Sequence, residues 1–181
     1  MDVQQASRVH VLKVIQIHSG DINMTILITG IAGLIGSRLT DWIIEKQPNC
    51  TVVGIDSLFG GYIENVNNNT IFYKRDLSID CIDDIFEKHS IDYVFHFAAY
   101  AAEGLSPFIR KFNYSNNMTS TANVINCCIN YNVKRLVYTS SMSVYGHGEN
   151  GKLFNEDDAC SPIDPYGISK YACELDIKVA N

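Results

Sequence analysis

Five short apolar runs, at residues 24–29, 51–56, 71–76, 92–99 and 135–141, alternate along this chain with segments of helical length. Runs that stay apolar suit strands buried on both faces. Helices are expected at residues 34–46, at about 79–89, at 107–131 and at 165–181. In the first, Leu34, Ile35, Leu39, Trp42 and Ile43 are expected to share one face. Pro48 closes that helix, and Asp164 followed by Pro165 reads as an N-cap with proline in the first helical position. Strands alternating with helices restrict the chain to α/β, a doubly wound parallel sheet.

The stretch TGIAGLIGSRL, residues 29–39, sets Gly30, Gly33 and Gly36 three apart at the mouth of the first strand. Glycine weakens regular structure, so such a set needs a cause. A tight turn there would bring backbone N–H groups and a helix N-terminus against a pyrophosphate. Asp56 ends the second strand, where a carboxylate can accept both hydroxyl protons of an adenosine ribose. It would repel a 2′-phosphate, so NAD is expected over NADP. No arginine closely follows Asp56. A plain strand-to-helix turn accounts for the glycines alone but not for the spaced acid.

The chain has 181 residues, 46% of them hydrophobic, and a formal net charge of −6. That is enough for one sizeable domain, and the charge argues against a nucleic-acid surface. No run is long and apolar enough to span a membrane, and no signal peptide is expected at residues 9–17. Neither nucleic acid nor membrane is expected as a partner. Cys50, Cys81, Cys127, Cys128, Cys160 and Cys173 form no C-x-x-C pair, so free thiols in a reducing, cytoplasmic setting are expected and no metal site. Residues 1–23 read as an N-terminal extension of unclear role, and residues 24–181 as the nucleotide-binding domain.

Tyr166 and Lys170 lie four apart at the start of the last helix, on one face. A tyrosine is a poor base at neutral pH, but a nearby ammonium, a nicotinamide charge and a helix N-terminus favour phenolate. Ser141, at the end of the fifth strand, could hydrogen-bond the same substrate oxygen. Alone, Tyr-x-x-x-Lys is more often a surface pair; the cofactor motif and Ser141 reverse that.

Together with Asp76-Leu77, His96-Phe97-Ala98-Ala99, Asn116-Asn117, the segment 140–146 and the segment 166–170, the G-x-x-G-x-x-G spacing resembles the extended short-chain dehydrogenase/reductase family. Within it, the chain is most similar to NAD-dependent nucleotide-sugar epimerases and dehydratases. The resemblance covers residues 24–181 and implies a Rossmann fold with NAD as cofactor. It implies Tyr166 as general base and acid, Lys170 as its electrostatic tuner and Ser141 as orienter. For the cofactor it implies Gly30, Gly33, Leu34, Ile35, Gly36, Asp56, Asp76, Leu77, Phe97, Ala98, Ala99, Asn116 and Ser140, with Tyr166 and Lys170 also in contact. Asn116 can equally serve as a cap or kink, and His96 reads as structural rather than catalytic.

The chain departs from the family at Ala101, where close relatives often carry lysine, and ends within the helix bearing Lys170. The C-terminal substrate domain is therefore expected to be missing and the isolated chain inactive. The expected activity is epimerisation of a nucleotide sugar, of the UDP-hexose 4-epimerase type. A non-catalytic NAD-binding module, or a dehydratase or reductase of the same family, remains the alternative. Met142 and Ser143 supply no carboxylate after Ser141, which favours epimerase over dehydratase. A homodimer is expected through the helices at 107–131 and 165–181, with Ile168, Ala172, Leu175 and Val179 as an apolar stripe.

Overall fold

The computed structural model describes residues 23–148 and 153–181. The expected extension at residues 1–23 lies outside the described residues apart from Asn23. The strands are β1 (Thr25–Thr29), β2 (Thr51–Asp56), β3 (Ile71–Lys74), β4 (Tyr93–His96) and β5 (Arg135–Tyr138). They form one parallel sheet in the order β3-β2-β1-β4-β5. Strand order reverses between β1 and β4, and the crevice past their C-terminal ends is where such sheets bind nucleotides. The doubly wound Rossmann architecture expected from the sequence is present.

Strand pleating sends alternate side chains into two cores. Leu27, Val53, Ile55 and Val94 pack on one face with Ile85, Phe86 and Val124. Ile26, Ile28 and Val52 pack on the other with Ile31 and Ile43. The helices are α1 (Leu34–Lys46), α2 (Asp83–His89), α3 (Arg110–Tyr114), α4 (Ser120–Asn130) and α5 (Pro165–Ala180).

Two helices differ from the sequence reading. In α1 the buried residues are Gly36, Ser37, Thr40 and Ile43, while Leu34, Ile35 and Trp42 are exposed. Small side chains face the sheet because the glycine turn draws α1 close to it: a Cβ on Gly36 would overlap the carbonyl of Gly30. The expected helix at 107–131 is interrupted. Glu103–Phe108 forms a 3-10 turn containing Pro107, and α3 joins α4 through a π-helical turn at Ser115–Thr119. Asn113 and Asn117 are buried and fully engaged, Asn113 Nδ2 on the carbonyl of Pro165 at 3.0 Å and Asn117 Nδ2 on Ser169 Oγ at 3.2 Å.

Candidate active site

The glycine turn, the ends of β2, β3 and β4, and the π-helical turn enclose a cavity of about 450 Å³. Of the residues expected there, Gly30, Gly33, Asp56, Asp76, Leu77, Phe97, Ala98, Ala99 and Asn116 line it. Gly30 has φ +71°, and a Cβ on it would meet the Ala98 nitrogen at 2.7 Å. Only glycine lets the turn lie against the β4 end. Gly33 is the N-cap of α1 and offers no side chain to the first helical turn. The N–H groups of Leu34, Ile35 and Gly36 thus lack intrahelical partners and suit an anion. Leu34 and Ile35, expected at the cofactor, do not line this cavity.

Asp56 is buried and anchors two loops. Its Oδ2 accepts from Ala32 N–H at 3.0 Å and its Oδ1 from Leu58 N–H at 2.8 Å. Each oxygen keeps a lone pair for a further donor. The loop after β2 folds over the turn, where Tyr62 N–H and Asn65 Nδ2 reach the Ala32 carbonyl at 3.2 and 2.9 Å. Asp76 Oδ1 accepts from Ser78 N–H at 2.9 Å and shapes the turn under the cavity. Arg75, passed over because it is distant from Asp56 in sequence, also lines the cavity. Pairing of β3 with β2 brings it there, with its N–H on the Asp56 carbonyl at 3.1 Å.

A second group of residues gathers where β5 meets α5. Tyr166 and Lys170 are both buried, and Lys170 Nζ lies 5.8 Å from the Tyr166 ring centroid. The expected side of the helix is therefore correct. Asp164 caps it, with Oδ1 accepting from Gly167 N–H at 2.9 Å. Ser141 acts on the Tyr166 phenol in favour of its ionised form, and its Oγ accepts from Ser143 N–H at 3.2 Å. Lys170 Nζ donates to the Thr139 carbonyl at 2.9 Å, and burial brings its pKa down to about 8.

The expectation of a favoured phenolate needs correction for the protein alone. Burial raises the Tyr166 pKa, the charges of Glu103 and Asp164 add to this, and Ser141 opposes them. Ser140 also differs from expectation. Its hydroxyl donates to the buried carboxylate of Glu174 at 2.5 Å, and Ser140 does not line the cavity.

The two groups are joined by Asn117, which the sequence reading quoted in a motif but gave no role. The Asn117 amide holds the loop after β4, accepting from Tyr100 N–H at 2.7 Å and donating to the Tyr100 carbonyl at 3.3 Å. Tyr100 lines the cavity, and the bond of Asn117 to Ser169 reaches the helix of Tyr166. Asn116, next to it, faces the cavity, its Nδ2 bound to the Phe112 carbonyl at 2.9 Å. His96 is structural, as expected: it is buried, with Nδ1 2.6 Å from Thr29 Oγ1 and Nε2 2.9 Å from Thr121 Oγ1. Burial, with the Lys170 charge, lowers its pKa to about 3, so the ring is neutral.

A glycine cradle, an uncapped helix N-terminus and a strand-end acid at a switch point define a dinucleotide-binding α/β protein. Residues 26–181 match the NAD dependent epimerase/dehydratase family, and the chain belongs to it. It is 35% identical over 169 residues to a dTDP-D-glucose 4,6-dehydratase of Dictyostelium discoideum, covering 82% of this chain and 38% of that protein. It is 35% identical over 152 residues to a UDP-glucose 4-epimerase of Halalkalibacterium halodurans, covering 83% and 44%. Among solved structures, the UDP-glucose 4-epimerase of Thermotoga maritima with UDP-glucose superposes with a TM-score of 0.79 at 35% identity, over 87% of this chain and 51% of that one. The Thermus thermophilus UDP-glucose 4-epimerase in complex with NAD gives 0.81 at 30% identity, over 86% and 50%. The chain spans about half the length, or less, of these relatives. The family's cofactor is NAD, and the cavity residues fit it. No helix among the described residues is long and apolar enough to cross a membrane.

Proposed function

We propose that this chain carries the cofactor site and acid–base residues of a nucleotide-sugar epimerase of the UDP-hexose 4-epimerase type. The supporting observation is the gathering of Tyr166, Ser141 and Lys170 at the end of the sheet that also bears the cofactor cavity. Gly30, Gly33 and the first turn of α1 hold the pyrophosphate, Asp56 the adenosine ribose, and Asp76 and Leu77 border the adenine. Bound NAD supplies a reversible two-electron acceptor and a positive charge near the phenol. Tyr166 takes the hydroxyl proton of the sugar carbon being oxidised and returns it when the carbonyl is reduced on its other face. Ser141 orients that hydroxyl, and the Lys170 ammonium, 5.8 Å from the Tyr166 ring centroid, tunes the phenol electrostatically.

The relatives include a dehydratase, and the residues after Ser141 favour epimerisation. Met142 is exposed and Ser143 bonds back to Ser141 Oγ at 3.2 Å, so that segment offers no acid for removing water. The outward stripe of Ile168, Leu175 and Val179 on α5 supports pairing with a second copy. The stripe does not cover the sheet, which Cys173 and Ile177 do. Light scattering at micromolar concentration should give a dimer.

The decisive experiment incubates the complete protein, loaded with NAD and without added reductant, with UDP-glucose. Appearance of UDP-galactose by proton NMR is expected. Loss of water from the sugar, or no conversion, would overturn the epimerase reading.

A further inference from the structure

We propose that Glu174 is a positioning residue for the acid–base group: through Ser140 it fixes the end of β5, and with it the carbonyl that Lys170 binds and the place of Ser141. This rests on the reading of Tyr166, Ser141 and Lys170 as the group that moves the sugar's proton.

Tyr166, Lys170 and Glu174 follow one another at intervals of four residues on α5, so they stack along one face of the helix. All three are buried. The chain leaving β5 runs along that face and is bound to it twice. Lys170 Nζ donates to the Thr139 carbonyl at 2.9 Å, and Ser140 Oγ donates to Glu174 Oε1 at 2.5 Å. Consecutive residues of the strand end thus meet consecutive turns of the helix. Ser141 comes next in the chain and takes its place from that clamp.

The two bonds are mechanically coupled. The Thr139 carbonyl and the Ser140 Cα belong to one planar peptide unit, which moves as a whole. Holding the Ser140 side chain therefore limits the rotation that would swing the carbonyl away from Lys170 Nζ. The ammonium has a second support in the Tyr138 ring, whose centroid is 4.8 Å away. Loss of the clamp should therefore misplace Lys170 and Ser141 rather than release them.

The acid acts at a distance from the cofactor, since neither Glu174 nor Ser140 lines the cavity. Its neighbours on α5 show what the helix otherwise buries, Cys173 and Ile177 packing in an apolar cluster with Tyr138. A buried carboxylate costs free energy unless its oxygens are hydrogen-bonded, and Ser140 supplies such a bond. An apolar side chain at this position would avoid that cost but leave the Ser140 hydroxyl without this acceptor.

The test compares Glu174→Ala, Glu174→Gln and Ser140→Ala in the complete protein loaded with NAD. With UDP-glucose as substrate, Glu174→Ala and Ser140→Ala should each lower kcat by about 10–100-fold, the scale of a small misplacement of reacting groups. KM and NAD affinity should change little. Glu174→Gln keeps an acceptor for Ser140 and should restore most of kcat. The double variant Glu174→Ala/Ser140→Ala should be no slower than the slower single one, because the same bond is lost in each. A glutamine variant as slow as the alanine one, losses that multiply in the double variant, or a loss expressed in KM would overturn the proposal.

A second measurement needs no turnover. Acetic anhydride labelling, read by mass spectrometry, reports access to the Lys170 amine, whose pKa of about 8 makes it reactive once reached. A melting curve establishes that each variant is folded, and Ser140→Ala takes the place of Glu174→Ala if the latter is not. Lys170 should be protected in the wild type and in Glu174→Gln and label faster in the alanine variants. Equal labelling throughout would overturn the clamp whatever the kinetics. Faster labelling in the alanine variants of a protein that converts no sugar would leave the clamp standing and overturn the reaction reading, and with it the positioning role.

Discussion

Asp56 Oδ2 accepts the Ala32 backbone N–H at 3.0 Å, so the acid ending β2 also holds the glycine turn that follows β1. The acid proposed to hold the ribose therefore also shapes the glycine turn. Arg75 lines the same cavity from β3. While Asp56 is present its charge opposes a 2′-phosphate.

Asp56→Ala is expected to cost about 1–3 kcal/mol of stability, since the backbone donors of Ala32 and Leu58 lose their acceptor. Asp56→Asn should keep more of that stability and narrow the preference for NAD over NADP. Urea denaturation reads the first effect and calorimetric titration of both cofactors the second. An unchanged cofactor ratio would remove Asp56 from the ribose site.

Tyr166→Phe is expected to lower turnover of the complete protein by ~10²–10⁴-fold, the usual worth of general acid–base catalysis. NAD affinity should change little, because the phenol transfers a proton and holds little of the cofactor. Lys170→Ala should weaken both, since it leaves the Thr139 carbonyl without its donor and empties space beside the phenol. Near-normal turnover in Tyr166→Phe would require another base.

His96 bridges Thr29 and Thr121 as a neutral ring whose pKa in the fold is about 3, below the ordinary 6.5. Between those values the unfolded chain binds a proton that the folded chain refuses. Stability should therefore fall as pH drops from about 6.5 towards 3, by up to ~1.4 kcal/mol per pH unit from this group. His96→Gln should flatten that slope while lowering stability at pH 7. Urea midpoints measured from pH 7 to pH 4 give the comparison, and an identical slope in the variant would exclude His96 as its source.

Gly30→Ala is expected to destabilise the chain by about 1–3 kcal/mol and to abolish NAD binding. The new Cβ would press on backbone of Ala98 from a left-handed φ of +71°, and neither partner is a flexible side chain. Gly104→Ala serves as the control, because nothing lies within 4 Å of a Cβ there. Thermal denaturation should separate the two variants clearly, and equal melting would mean that the turn can shift.

The parallel sheet, the glycine turn, Asp56 and the Tyr166–Lys170 pair were legible in the sequence because each is written in local spacing. Strand burial shows as continuous apolar runs, a turn as glycines at a strand end, and a shared helix face as a separation of four residues. The N-cap of α5 is equally local, and Asp164 occupies it. What the sequence could not supply depends on which elements become neighbours. Arg75 reaches the cavity only because β3 pairs with β2, and Asn117 joins cofactor loop to catalytic helix only because α3, α4 and α5 pack together. The sheet-facing side of α1 was misread because a close helix–sheet approach selects small residues over the large apolar ones that periodicity counts. Glu174 belongs with the end of β5 through its hydrogen bond to Ser140, 34 residues away in sequence. Local periodicity determines the elements of this protein; long-range packing decides which polar groups meet, and the charge around the phenol follows from that packing.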